Sequence, residues 1–257
     1  MHVRLTRLRH AAYVSTDCDH AAIFTGLRRR SEAGREQAID DAQRDPHADS
    51  LLAQMLDESR DGSWEKVLVA AALGQVSGPD GDAALRRALD ASGPGTSDLR
   101  CSALHGLARR CGEAAHEDFV RGFHSTDAGT RDSAIVVLAA CGRDGVWDEM
   151  AARLASTMKR PGRRGSVPSD TLTMLVYLLR HAEGDPGRLP FLVRLLRKRW
   201  DGLNPRSDPG GEASQWVARH WADTAPGGPE ADEVAAPHAE AINTWLRNEP
   251  FFKYLTP

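Results

Sequence analysis

Four cations interleaved with glycine, Lys159, Arg160, Arg163 and Arg164, are the residues of this chain whose type and spacing come closest to a recognisable chemistry. They lie in the stretch Lys159-Arg160-Pro161-Gly162-Arg163-Arg164-Gly165, where positive charge at this density suits phosphate or an acidic protein. A second cluster follows at Arg194, Arg197, Lys198 and Arg199. Helical spacing puts Arg194, Arg197 and Lys198 on neighbouring faces beside that loop. The plainer reading of both is solvation: a surface loop, and the outer face of a helix whose inner face is Leu192, Leu195 and Leu196. Tryptophan is also concentrated late in the chain, at Trp200, Trp216, Trp221 and Trp245. Trp216 and Trp221 are candidates for stacking a base or anchoring a partner. The alternative is that they fill core.

For catalysis the residue types are present but the arrangements are not. The chain has no His-Glu-x-x-His, glycine-rich phosphate loop or nucleophile elbow. His116-Glu117 is a direct His-Glu pair, but His181-Ala182-Glu183 and His238-Ala239-Glu240 carry an intervening residue. Cys18, Cys101, Cys111 and Cys141 form no Cys-x-x-Cys pair, so they do not read as a zinc ribbon or a thioredoxin-like motif. Cys111 and Cys141 each precede a glycine, and the favoured reading is small thiols near helix ends rather than a redox pair. The expectation is therefore no catalytic residue, no metal and no cofactor. A net charge of −3 argues against a generally basic protein that coats nucleic acid. With no apolar run long enough to span a bilayer and no signal-peptide core, a cytoplasmic protein with reduced thiols and no membrane contact is expected.

The elements that must carry these residues repeat. One apolar pair recurs as Leu52/Leu56, Leu85/Leu89, Phe119/Phe123 and Met150/Leu154, in steps of 31 to 34 residues. A second follows it as Val69/Leu73, Ala103/Leu107, Ala134/Leu138 and Leu175/Leu179, and then Val217/Trp221, where the last two steps lengthen to 41 and 42. Pairs spaced four apart mark one face of a helix, and two such pairs per thirty-odd residues mark a repeated helical hairpin. Glycine-containing turns separate the helices, as at Ser92-Gly93-Pro94-Gly95-Thr96 and Ser125-Thr126-Asp127-Ala128-Gly129. Ser97 or Asp98 is expected to cap the helix of residues 99–110, and Gly112 to end it. Helices are expected over 32–44, 49–59, 64–76, 82–91, 114–124, 130–140, 146–158, 170–180, 189–200, 212–222 and 232–247, with one more over 21–30.

The segments Asp98-Leu99-Arg100-Cys101-Ser102-Ala103-Leu104-His105-Gly106-Leu107 and Gly129-Thr130-Arg131-Asp132-Ser133-Ala134-Ile135-Val136-Val137-Leu138 resemble the second helix of HEAT repeats, of the short type also seen in bilin-lyase-like proteins. The resemblance implies an all-α, right-handed α-solenoid of about six antiparallel hairpins with a C-terminal capping helix, its second helices lining the concave side. It covers residues 49–158 best. The whole chain, 1–257, then forms one domain: an N-terminal extension (1–20), regular repeats (21–158), irregular repeats with the basic loop (159–222), and a capping helix and tail (223–257). The tail, with Phe251, Phe252 and Tyr254, is expected to fold back over the final helix or to dock elsewhere. HEAT-like di-iron hydroxylases use several His-Glu pairs, which this chain does not supply.

Such arrays hold partners, so the leading expectation is a non-enzymatic scaffold, adaptor or inhibitor gripping a protein on its concave face. The alternative is a nucleic-acid binder, including a lesion-processing enzyme, that uses the 159–164 loop and the 194–199 cluster. A lyase-like protein with a small molecule in its groove is the third class.

Overall fold

A computed structural model describes residues 32–159, 169–203 and 212–248. The described residues are helical and contain no strand: α1 (Glu32–Arg44), α2 (Ala48–Glu58), α3 (Trp64–Leu73), α4 (Asp80–Leu89), α5 (Ser97–Cys111), α6 (His116–Phe123), α7 (Ala128–Cys141), α8 (Trp147–Met158), α9 (Ser169–Arg180), α10 (Arg188–Lys198), α11 (Glu212–His220) and α12 (Ala239–Asn248). None is long and apolar enough to cross a membrane. The expected helix over 21–30, the 1–20 extension and the tail from Phe251 lie outside the described residues.

The helices form where apolar spacing and end chemistry agree. Ser63 caps α3 by accepting the Lys66 amide, and Asp127 caps α7 by accepting that of Thr130. Gly112 ends α5 at φ 52, the left-handed region that favours glycine. Two expectations fail. Neither Ser97 nor Asp98 caps α5; Thr96 holds that position without a side-chain cap, and the Ser97 hydroxyl instead donates to Asp127 in the next hairpin, at 2.7 Å. The last helix starts at Ala239 rather than near Asp232, because Pro237 disfavours helical backbone in the residue before it. The Ala235 carbonyl, left outside any helix, accepts the Trp221 indole N–H at 2.8 Å.

The repeated apolar pairs are the core. Every one of their residues, from Leu52 to Trp221, is 6% exposed or less. Burying each leucine contributes about 1.5–3 kcal/mol, which no short helix here could supply from propensity. Helices consecutive in the chain pack as pairs: α2 on α3, α4 on α5, α6 on α7 and α8 on α9. The second members also form a continuous row, α3 on α5, α5 on α7, α7 on α9 and α9 on α11, while α2 packs on α4. Glycine sets the closest approach in the row. A Cβ on Gly74 would lie 2.6 Å from the Gly106 Cα, so neither position has room for a side chain at this spacing.

The row is not uniform. Partial solvent exposure remains at Trp64, Leu68 and Ala71 of α3, at Asp98 and Ser102 of α5 and at Val136 of α7, while Gly129 and Ser133 of α7 lie against Ser97 and Cys101 of α5. In α9 Met174 and Tyr177 are 1% and 0% exposed, the Tyr177 hydroxyl being bonded to the turn before α8. Every residue from Leu172 to Leu179 is buried, and α12 packs on α9. A helix apolar on all sides must be covered on all sides; α12 contributes to that cover, and its Ile242 and Leu246 are buried, with Trp245 packed against the core.

Candidate interaction surface

Among the described residues singled out for binding, several are engaged in internal contacts. Lys159 is exposed just beyond α8, while Arg160, Arg163 and Arg164 lie outside the described residues. Arg194 is exposed and pairs with Asp232 at 3.3 Å. Arg197 donates to the backbone carbonyls of Asp223 and Pro229, at 2.9 and 2.6 Å, and also faces that of Thr224. Its charge thus closes the turn after α11. Lys198 is exposed. Trp216 and Trp221 are core, 6% and 3% exposed. They fill space where the repeat becomes irregular and present no ring for stacking.

Several arginines inside the regular repeats are likewise structural. Arg100 donates to the Ala91 carbonyl and to the Thr96 and Thr130 hydroxyls, and Arg131 to the carbonyls of Ser125 and Thr126. These equivalent positions tie each second helix to the turn before it. Arg110, at the end of α5, reaches Asp49 of α2 at 3.0 Å and Asp82 of α4 at 2.6 Å. It also donates to the carbonyls of Leu73, Val76 and Gly78. Arg180, at the end of α9, repeats the device two hairpins later, on the Ala139 carbonyl. Hydrogen bonds from Ser97 and Thr130 hold the Asp127 carboxyl far below the usual carboxylate range.

The nucleophiles and histidines are tuned away from reactivity. Burial pushes the Cys111 thiol up to about 11 and the Cys141 thiol up to about 12, so neither carries appreciable thiolate near neutrality. Burial lowers the pKa of His105 to about 4, with Arg109 adding to the effect. His116 is lowered by burial and then by Arg143, and its Nδ1 accepts the Arg143 amide at 3.1 Å. His116 therefore contributes a loop clasp. Tyr177 completes it: its hydroxyl accepts the Gly145 and Val146 amides and donates to the Arg143 carbonyl, at 3.1 to 3.3 Å. Among the described residues no group of three or more His, Cys, Asp or Glu is placed to hold a metal ion.

What the described surface offers instead is the exposed apolar residue at the start of α3. Trp64 is 65% exposed, and the only other large hydrophobic residue exposed among those described is Phe191, at 43%. Leu68 and Ala71 follow Trp64 at the spacing of one helical face. Ser102 of α5 and Val136 of α7 are also partly exposed. This composition, an aromatic anchor beside small and weakly polar groups, can exclude water over an area without chemical reaction. Trp64 was legible in the sequence only as the first residue of a helix. The signal was its register, because an outward position occupied by Asp98 and Gly129 in the next two repeats is tryptophan here.

No protein-family model matches the chain, and a search of curated proteins finds no relative.

Proposed function

We propose that this chain is a HEAT-like scaffold, adaptor or inhibitor: a right-handed solenoid of about six hairpins that holds a protein partner on its concave face and catalyses nothing. The row of second helices supplies the concave face, and the Trp64 end of the row supplies the anchor. The observation that carries this reading is the exposure of Trp64 at the start of α3, with Ala71 exposed on the same helix. An indole left in water is costly unless something covers it part of the time. The nucleic-acid reading draws less support, because Arg197 is committed to backbone carbonyls and Arg194 to Asp232.

Capture from native lysate on immobilised protein tests the proposal, comparing the wild-type chain with Trp64→Ala and with Val136→Arg. Protein species retained by the wild type and lost from both variants are expected. Retention of the same species by all three would refute an interaction through this face. Gel shifts with duplex and single-stranded DNA form the other arm. Tight binding that weakens steeply with salt would move the function to nucleic acid.

A further inference from the structure

We propose that the turn joining α7 to α8, residues 142–146, is a pH-operated clasp: neutral His116 holds it closed, and one proton on that imidazole releases it. The device belongs to the fold and stands whatever the chain binds.

The turn joins two hairpins, and each contributes a grip. From the hairpin before it, His116 at the start of α6 accepts the Arg143 amide on Nδ1 at 3.1 Å. From the hairpin after it, the Tyr177 hydroxyl of α9 accepts the Gly145 and Val146 amides and donates to the Arg143 carbonyl. His116 is 5% exposed, whereas Arg143, Asp144 and Gly145 are open to solvent. A Cβ on Gly145 would lie 2.6 Å from the His116 Nε2. The turn thus lies against both ring nitrogens, and the ring has little room to swing aside alone. An imidazole nitrogen that accepts a hydrogen bond has its lone pair in use. A proton placed there sets two donors face to face, and the Arg143 amide loses its partner.

An earlier hairpin junction is gripped from the same two directions by different groups. Between α3 and α4, Asp49 of α2 accepts the Asp80 and Gly81 amides, and Arg110 of α5 donates to the carbonyls of Leu73, Val76 and Gly78. A carboxyl group keeps an acceptor oxygen whether or not it is protonated, but an imidazole nitrogen stops accepting once it binds a proton. Only the α7–α8 junction therefore hangs on a bond that mild acid removes. The charges that face His116 are Arg143 and Asp144 of the turn, Glu113 just before α6, and Glu117 within it. Across the turn stand Tyr177 and His181 of α9, with Arg180 beside Cys141, and Arg188 of α10, which pairs with Asp144. Burial and then Arg143 oppose a proton on His116 more than the three carboxylates favour it, so its pKa is lowered while the turn is clasped. Once released, the ring returns toward its ordinary value of about 6.5. The proton binds the released form better, so release grows as pH falls below about 6.5, and above neutrality the turn stays clasped.

Amide exchange followed by NMR on the full chain tests this, expressed as protection factors so that the intrinsic pH dependence of exchange drops out. Between pH 7.5 and pH 5 the protection of Arg143, Gly145 and Val146 should fall by up to about thirtyfold, the ceiling for a ring that takes its proton only in the released form. Leu104 and Leu107, in the core of α5, report global opening and serve as the reference. His116→Asn keeps an acceptor oxygen near the place of Nδ1 and takes no proton, so its turn should stay protected and lose the pH dependence. His181→Gln leaves the His116 bond in place and should retain it. The ring nitrogens of wild-type His116 give a reading that needs no variant: Nδ1 should carry no proton at pH 7.5, and its protonation should track the loss of turn protection. A wild-type fall under about twofold relative to α5 overturns the proposal. So does a full fall in His116→Asn, loss of the fall in His181→Gln, or a His116 ring that protonates while the turn stays protected.

Discussion

Replacing Arg110 with methionine should cost this protein a large share of its stability. The Arg110 and Asp49 side chains are each 5% exposed, and their ion pair at 3.0 Å joins the end of α5 to the start of α2. The same guanidinium bonds Asp82 at 2.6 Å and the carbonyls of Leu73, Val76 and Gly78, which terminate or follow α3. Methionine roughly keeps the volume and removes every donor. Asp49 keeps the amides of Asp80 and Gly81 but loses its counter-charge while buried. Breaking a buried pair from one side costs about 3–5 kcal/mol. Stranding two or three carbonyls adds to this only where water cannot reach them. We therefore expect a loss of about 3–5 kcal/mol against a total of roughly 5–15. For a chain of this length that corresponds to a drop of about 6–20 °C in melting temperature. Urea unfolding followed by circular dichroism measures the first quantity, and amide exchange over residues 73–82 should quicken beyond the global effect. A double-mutant cycle with Asp49→Asn isolates the pair. A loss below about 1 kcal/mol, or strictly additive single losses, would refute the view that Arg110 fastens successive hairpins.

Other expectations follow from the same contacts. Gly74→Ala should destabilise by about 1–3 kcal/mol, since its new methyl meets the Gly106 backbone and α3 must move off α5; equal or raised stability in urea would contradict the close approach. Tyr177→Phe should cost about 1–3 kcal/mol and speed amide exchange at Gly145 and Val146, and unchanged exchange there would show the loop is held by something else. Stability should also fall in acid. His105, His116 and His181 are all lowered in the folded state, so above about pH 6.5 they are neutral folded or unfolded and add no slope. Below that the unfolded chain takes up their protons first, and stability is lost progressively toward about pH 4, where His105 itself titrates. Urea midpoints at pH 7.5, 6 and 5 measure this, and His105→Gln should shallow the fall; parallel curves for the two proteins would remove His105 from the account.

The repeated hairpins were readable because their signal is local. A rung such as Leu85/Leu89 declares a helical face within five residues, and burial then has no choice but to place that face inward. Helix ends read less well where a side chain had two possible partners. Ser97 has the chemistry of a cap, yet Asp127 of the next hairpin claims its hydroxyl. The charged residues read least well. Arg160, Arg163 and Arg164 stand out by density, but nothing in a density separates an anion site from a solvated loop. Arg197 looks like part of a basic patch until the fold brings three carbonyls to it. Arg110, a plain arginine near a helix end in the sequence, turns out to be a fastening between hairpins.

The sequence by itself determined that this chain is helical and which side of each helix faces the core, because periodicity is a property of a single segment. Only the tertiary structure decided what happens on the outward side. The all-round apolar run Leu172–Leu179 requires a cover, but its identity depends on where the chain returns after α11, and that is fixed by Pro237 and by the Trp221–Ala235 bond rather than by any pattern in α9. Trp64, at the other end of the row, stays exposed. Whether an apolar stripe becomes core or surface is settled by the neighbours that reach it, and neighbours distant in sequence are what folding alone supplies.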